Sequence, residues 1–145
     1  LEAEDVGVAV LSFADGSVAI VEGTANVFPK NLEETLCLFG ENGTVKIGGA
    51  STNNIDVWEF ADEREEDQAI VGLEEPTSNV YGNGHSSLYA DVVESIRESR
   101  APYVDARAGR DALEIVLAIY KSQKTSLPVE LPLENFASSD MKGEF

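Results

Sequence analysis

Cysteine, histidine, tryptophan and methionine each occur only once in this chain of 145 residues. The single cysteine, Cys37, cannot form a disulfide within the chain, which is typical of a reducing compartment, so we expect a cytoplasmic location. The single histidine, His85, excludes a site with paired histidine ligands, and no Ser-His-Asp arrangement has a recognisable spacing. We therefore predict neither a metal site nor a catalytic residue in this chain.

Long apolar runs and basic residues are also scarce. No stretch of 18 apolar residues occurs, so no membrane span is predicted, and residues 1–5 lack the basic and apolar regions of a signal peptide. Ten basic residues against 27 acidic ones give a formal net charge of -17. Such a surface repels phosphate polyanions, so we expect no nucleic acid partner. Because no span is predicted, we also expect no membrane partner. A start without methionine suggests a trimmed chain or a fragment.

Apolar, β-branched segments separated by turn residues fill the first sixty positions. Residues 6–13 and 17–26 flank Asp15-Gly16, and Asp-Gly between two such runs predicts a hairpin because the turn requires positive φ. Further strands are predicted at 32–39, 44–47 and 54–60. The charged residues 62–67 lack the alternating ligands of a calcium loop and are interpreted as a solvated loop.

Two helical patterns follow the strands. Residues 84–100 carry Leu88, Val92 and Ile96 on one side, which predicts a helix that buries this side. Residues 105–122 are apolar around most of the helix, so we expect a central helix covered on more than one side, with Asp105 as its N-cap.

A last strand is predicted at 129–131, and the polar residues 135–145 are expected to be a weakly ordered tail. The order of elements predicts an α+β fold, an open and predominantly antiparallel β-sheet with two long helices packed on one face.

The glycine-rich loop before the first predicted helix is similar to a dinucleotide-binding motif. Gly82-Asn83-Gly84-His85-Ser86-Ser87 comes within one residue of the G-x-G-x-x-G dinucleotide fingerprint. That fingerprint must follow a buried parallel strand and open a βαβ unit, whereas residues 77–81 are too short and too polar for such a strand. We therefore interpret the segment as a flexible loop that caps a helix, and predict no cofactor-binding residue in this chain.

Several short segments in the last third of the chain follow one another in a familiar order. They are Tyr89-Ala90-Asp91-Val92-Val93-Glu94-Ser95-Ile96, Arg100-Ala101-Pro102-Tyr103-Val104-Asp105, Gly109-Arg110 through Ala112-Leu113-Glu114, Ala118-Ile119-Tyr120-Lys121-Ser122 and Val129-Glu130-Leu131-Pro132. This order resembles the C-terminal end of the Gfo/Idh/MocA family of nicotinamide-dependent oxidoreductases, in particular the members that act on sugars and nucleotide sugars. The resemblance is densest over residues 84–132.

The resemblance implies a dihydrodipicolinate-reductase-like C-terminal domain of a larger NAD- or NADP-dependent enzyme. In that family an N-terminal dinucleotide-binding domain carries a catalytic lysine in a Glu-Lys-Pro type motif and a further histidine. No lysine of this chain is followed by proline. Residues 1–134 are therefore expected to be a substrate-binding and oligomerisation domain, inactive alone, and residues 135–145 its C-terminal tail. The alternative is a self-contained, non-catalytic α+β protein that binds a small ligand or a partner.

The same resemblance implies where a sugar or nucleotide-sugar substrate would bind, because in the family the glycine-rich loop lies near the mouth of the substrate cleft. The candidate substrate-binding residues are His85, Asn83, Tyr89 and Arg110. For His85 the alternative is a residue at the helix start whose ring is satisfied by the backbone. For Arg110 the alternative is pairing with the many acidic side chains of this chain.

Association through the sheet is the remaining expectation. Two helices cover only one face of a five- or six-stranded sheet, yet both faces of 17–26 and of 32–39 carry apolar or small residues. One of two sets must face something beyond the helices: Val21, Leu36 and Leu38, or Ile20, Cys37 and Phe39. We therefore expect a homo-oligomer formed through the sheet, as the family habitually does.

Overall fold

Five strands and two long helices are the main elements of the chain in the computed structural model, which describes residues 4–77 and 81–144. All strand pairs in these ranges are antiparallel, and the strands form two open sheets. The α+β class is confirmed, although the strands are divided between two sheets. Contacts divide the described residues into two compact units, one reaching Asn26 and resuming at Ser99, the other running from Val27 to Glu98.

In the first unit, β1 (Val6–Ser12) and β2 (Val18–Thr24) form the predicted hairpin. Gly16 has φ +89, and its N–H donates to the carbonyl of Phe13 over 3.0 Å. The N–H of Ser17 donates to Asp15 Oδ1 over 2.9 Å. The Asp-Gly pair therefore closes the turn for the predicted reason, since glycine adopts positive φ without steric cost and aspartate bonds the backbone two residues on.

The first unit also contains α2 (Ala106–Thr125), which begins as predicted. Asp105 Oδ1 accepts from the backbone N–H groups of Arg107 and Ala108 over 2.9 and 3.0 Å. We predicted that this helix is covered on more than one side. In its second half, residues 117–120 are each buried or half-buried, and four consecutive residues point in directions spread around a helix. In its first half Leu113 is 56% exposed, so the predicted coverage is found only in the second half.

The predicted strand at 129–131 is absent, and the backbone of the residues that follow it is bonded to side chains of α2. Glu114 Oε1 accepts from the N–H of Leu133 over 2.6 Å. Lys121 Nζ donates to the carbonyl of Glu134 over 3.0 Å. Residues 133–134 are therefore attached to α2 by side-chain hydrogen bonds.

The end of the chain is held on α2, so the expectation of a weakly ordered tail is not met. A short 3-10 helix, Ser138–Met141, buries the side chain of Met141, which is 4% exposed. Lys124 Nζ donates to the carbonyl of Asp140 and forms an ion pair with Glu144 at 3.0 Å. A single apolar side chain and a lysine at the end of α2 are sufficient to dock this polar segment.

In the second unit, three strands lie in the order β3 (Leu36–Gly40), β4 (Gly43–Gly48) and β5 (Asn54–Phe60). Leu38, Val45 and Trp58 are direct neighbours across this sheet, and Val45 is buried. The first four residues of the predicted strand 32–39 are not part of the ladder. Instead the N–H of Glu34 donates to the carbonyl of Gly49 over 2.8 Å.

The charged segment after β5 is more ordered than a solvated loop. It contains a 3-10 helix, Glu65–Ala69, whose Asp67 Oδ1 accepts from Trp58 Nε1 over 2.9 Å. Asp67 Oδ2 accepts from the N–H of Arg64 over 2.8 Å. These two hydrogen bonds, the one from Trp58 foremost, lower the pKa of Asp67 below 3.8. One carboxylate therefore attaches the segment to the tryptophan.

The second unit ends with α1 (Gly84–Glu98), whose inward side differs from the prediction. Ser95 is buried, whereas Ile96 is 75% exposed and Leu88 is also exposed. Consecutive residues point about 100° apart around a helix, so the covered side is displaced from the apolar stripe by about a quarter of a turn.

Of the helices in the described ranges, neither combines the length and the apolar character that a bilayer crossing demands.

Candidate functional site

The segment that leads into α1 is attached to the turn between β4 and β5 by Asn53. Asn53 Nδ2 donates to the carbonyl of Glu75 over 2.9 Å, and the N–H of Glu75 donates to the carbonyl of Asn53 over 2.8 Å. Asn53 Oδ1 accepts from the N–H of Ser51 over 3.3 Å. The main chain of Glu75 is therefore held on both its donor and its acceptor, and the turn supplies a fixed base for the loop.

Asn83 connects this base to the helix. Its Nδ2 donates to Glu75 Oε1 and to the carbonyl of Pro76, both over 3.0 Å. Its own carbonyl accepts from the N–H of Ser86 in the first turn of α1 over 3.2 Å. Asn83 thus stands immediately before α1 with its amide nitrogen turned towards residues 75–76.

Two glycines permit this arrangement. Gly82 has φ +62, and a Cβ there would lie 3.3 Å from Ser51 Oγ, closer than a side chain is ordinarily accommodated. Gly49 has φ +92, and a Cβ there would lie 2.4 Å from Asn53 Oδ1 and displace it. Both positions therefore need the backbone freedom of glycine and the space that it leaves.

His85 and Tyr89 lie one turn apart in α1, four residues from each other, and so share one side of the helix. Both are exposed, Tyr89 to 64%. Within residues 4–77 and 81–144 no hydrogen bond or ion pair involves the His85 ring. The alternative in which the backbone satisfies this ring therefore has no support in these ranges. An imidazole and a phenol therefore project together from the helix start, next to Asn83.

Arg110 belongs to the other unit, in the second turn of α2. Its Nη1 lies 3.1 Å from Asp111 Oδ1 and its Nη2 lies 3.4 Å from Glu114 Oε1, with the arginine side chain 65% exposed. The pairing with acidic residues, which was the alternative for this side chain, is therefore present. The pair with Asp111 is exposed on both sides and contributes only about 0.2–1 kcal/mol, whereas the Glu114 side chain is 14% exposed. The guanidinium can therefore exchange the pair with Asp111 for another anion.

A shallow pocket of about 180 Å³ adjoins Arg110 between α2 and the C-terminal segment. Its lining is apolar apart from one ion pair and consists of Arg110, Leu113, Glu114, Leu117, Leu133 and Phe136. Sequence reasoning missed Glu114, although its position one turn after Arg110 is a usable signal for an ion pair on a helix.

The described residues do not provide a dinucleotide site. Every strand pair in them is antiparallel, and β5, the last strand before Gly82 within the described ranges, ends at Phe60. The parallel βαβ unit that places a pyrophosphate on a helix N-terminus is thus missing from these ranges. Nor do three metal-ligating side chains converge anywhere in the part of the chain that the structure describes.

Asn53 and Glu75 were missed by sequence reasoning. They belong to no motif and lie 22 residues apart in the chain. The one signal available, the Glu-Glu-Pro sequence at 74–76, indicates a break in helical structure and says nothing about a partner.

The sequence profile of the oxidoreductase family's C-terminal alpha/beta domain, of the Gfo/Idh/MocA type, matches residues 1–131. No curated protein sequence matches the chain.

Among the crystal structures that resemble it are those of the WlbA dehydrogenases from Bordetella pertussis and Chromobacterium violaceum, each in complex with NADH and UDP-GlcNAcA. The first is 34% identical with a TM-score of 0.78 and covers 92% of this chain. The second is 32% identical with a TM-score of 0.75 and covers 91%. The chain spans 36% of the length of each.

Proposed function

Since the chain belongs to the Gfo/Idh/MocA oxidoreductase family, as its C-terminal alpha/beta domain, we propose that it is the substrate-binding and oligomerisation domain of an NAD- or NADP-dependent oxidoreductase acting on a nucleotide sugar. The observation that carries this proposal is the likeness to two dehydrogenases solved with NADH and UDP-GlcNAcA, over 92% and 91% of this chain. The domain comprises residues 1–134, and residues 135–145 are its C-terminal tail.

Two features of the family's dinucleotide-binding domain, a parallel βαβ unit and a lysine before proline, decide which part of the enzyme this chain supplies. They form no parallel βαβ unit, and no lysine of the chain precedes a proline. The dinucleotide and the catalytic lysine therefore belong to the remainder of a longer protein, since this chain spans 36% of its structural relatives. The nicotinamide would supply the hydride chemistry there, and this domain would bind and orient the sugar.

His85, Tyr89 and Asn83 are the residues that we propose contact the sugar. The imidazole, the phenol and the side-chain amide all form hydrogen bonds with hydroxyl groups. His85 and Tyr89 are exposed on the same side of α1, which leaves their polar atoms accessible. A sugar placed against this side would meet two ring systems and the oxygen of Asn83.

Arg110 is the candidate for a negatively charged part of the substrate. A guanidinium binds a phosphate or carboxylate through two parallel hydrogen bonds, which is a stronger arrangement than its pairs with Asp111 and Glu114. A nucleotide sugar carries phosphate groups that fit this role. Arg110 would then select against sugars without a charged group.

Oligomerisation is proposed for the face of the hairpin that carries Val8, Val10 and Ile20. Val10 and Ile20 are direct neighbours across the hairpin, and all three side chains are exposed. The same face also carries Glu22, directly opposite Val8. A two-stranded ribbon is at best marginally stable by itself, so this largely apolar face needs a cover. A second copy of the same face would supply it.

The proposal is tested in the full-length protein by His85→Ala. We expect weaker binding and slower turnover of UDP-GlcNAcA with nearly unchanged melting temperature, because His85 is exposed and bonded to no described residue. Arg97→Ala, at the other end of α1, is the matched control and should leave both unchanged.

Three results would contradict the proposal. A large melting shift with unchanged kinetics would show that His85 serves only the helix start. Calorimetry on this chain alone that gives micromolar binding of NAD or NADP would show that the dinucleotide site is not elsewhere. Binding of UDP-GlcNAcA without any turnover by the full-length protein would favour a non-catalytic binding protein.

A further inference from the structure

We propose that Glu75 is a positioning residue of the substrate site, and that it makes Asn83 a pure hydrogen-bond acceptor. In this arrangement Asn83 Oδ1 recognises a donor on the sugar, either a hydroxyl or an amide N–H. The inference rests on the proposed function, since it assigns a role within the same site. It adds a residue from outside the helix and states which chemical group the site selects.

The first step is the orientation of the Asn83 amide. Its nitrogen carries two hydrogens, and the two neighbouring oxygens, Glu75 Oε1 and the carbonyl of Pro76, each lie 3.0 Å away. A carboxylate and a backbone carbonyl both accept hydrogen bonds and cannot donate them. Only the nitrogen side of the amide fits between them, so the oxygen must point the other way.

The second step concerns what Asn83 has left to offer. Both amide hydrogens are committed, and within the described ranges no donor bonds to Oδ1. Asn83 itself is exposed. A phosphate or a carboxylate facing it would meet an oxygen and be repelled, whereas a hydroxyl or an N–H would be bound. The acidic part of a nucleotide sugar is therefore excluded from this point of the site.

The third step is why an anchor is needed. Asn83 lies between Gly82 and Gly84, and glycine leaves the backbone free to adopt many conformations. The terminal torsion of an asparagine side chain is also broad when nothing restrains it. Glu75 removes both freedoms, because its own main chain is bonded to Asn53 in both directions. The orientation of Asn83 is thus fixed, through Glu75, by the β4–β5 turn.

The test uses the full-length protein with UDP-GlcNAcA as the probe, by calorimetry and steady-state kinetics. Glu75→Ala should raise the dissociation constant and KM about tenfold, the size expected for one lost neutral hydrogen bond, with kcat within about twofold. Glu75→Gln keeps an acceptor oxygen for Asn83 and should restore affinity to within about twofold. Glu74→Ala, the adjacent acidic residue, is the matched control and should bind normally.

A double substitution separates positioning from general damage. If Glu75 acts through Asn83, then Glu75→Ala combined with Asn83→Ala binds the probe no more weakly than Asn83→Ala alone. Additive losses would overturn the inference. Melting temperatures of each variant confirm folding, and Glu75→Met, which keeps the length of the side chain but has no acceptor oxygen, takes the place of Glu75→Ala in the comparison if Glu75→Ala does not fold.

The outcomes distinguish the inference from the proposal beneath it. Normal binding by Glu75→Ala, with weakened binding by Asn83→Ala and His85→Ala, overturns the positioning role and leaves the proposed function standing. Normal binding by all three variants overturns the site. Failure of the unaltered protein to bind UDP-GlcNAcA overturns the proposed function and this inference with it.

Discussion

Replacement of Ile20 by alanine should weaken self-association through the hairpin. Ile20 is 74% exposed and faces Val10 across the ribbon, which is exposed too. Its side chain gains little from burial in the chain alone. Association of two such faces would remove it from water.

The size of the effect follows from that exposure. Complete burial of an isoleucine side chain contributes about 1.5–3 kcal/mol. Since Ile20 is 74% exposed, roughly 1–2 kcal/mol remains to be gained on association. In a two-fold symmetric dimer the residue occurs on both sides, so Ile20→Ala costs about 2–4 kcal/mol. At 1.4 kcal/mol per factor of ten, the dissociation constant rises by roughly one and a half to three orders of magnitude.

The assay is sedimentation equilibrium of the full-length protein over a range of concentrations, at low and at moderate salt. The full-length protein is needed because its other domain is the competing cover for this face. Val71→Ala is the matched control, since Val71 is exposed on a turn outside both sheets. Salt should strengthen association, because each chain carries a formal charge of -17 and screening reduces the repulsion.

Two results would refute the reasoning. A protein that stays monomeric at tens of micromolar and moderate salt does not use this face for a dimer. A dimer whose dissociation constant is the same with Ile20→Ala as without it associates elsewhere, for example through the exposed Cys37 and Phe39 on β3. Circular dichroism of each variant checks that the strands are retained.

Two further predictions concern local bonds. Asp105→Ala removes the acceptor for two first-turn amides of α2 and should lower the free energy of unfolding by about 1 kcal/mol. Asp105→Asn keeps an acceptor oxygen and should be more stable than Asp105→Ala. Equal melting temperatures of the two variants would contradict the capping role. The pKa of Asp67 is lowered from 3.8, mainly by the hydrogen bond from Trp58. The ionised carboxylate therefore stabilises the folded state above pH 3.8, and this stabilisation is lost as the pH falls through the lower pKa of the folded state. Tryptophan fluorescence should report that transition, and Asp67→Asn should abolish it.

The sequence alone was sufficient for features that depend on neighbours in the chain. The hairpin is determined by Asp15 and Gly16, which supply the bond and the φ that the turn requires. The start of α2 is determined by Asp105, two and three residues before the amides that it binds. Motif order over 84–132 was enough to predict the family, because each motif needs only its own residues and spacing.

The sequence alone did not predict which side of each helix is covered. Periodicity identifies the apolar side of α1, yet Ser95 is buried and Ile96 is exposed. Burial depends on which elements pack against a helix, and these are distant in the chain. The same applies to 129–131, where β-propensity predicted a strand and side chains of α2 bind the following backbone instead.

The candidate site combines both kinds of information. His85 and Asn83 could be selected from the sequence because they occupy a glycine-rich loop before a helix, next to Tyr89. Glu75 could not, because its importance lies in a carboxylate 3.0 Å from an amide eight residues away and in a backbone bonded to a residue 22 positions earlier. Hydrogen bonds between residues so far apart form only once the turn and the helix have been brought together, and only the tertiary structure decided that.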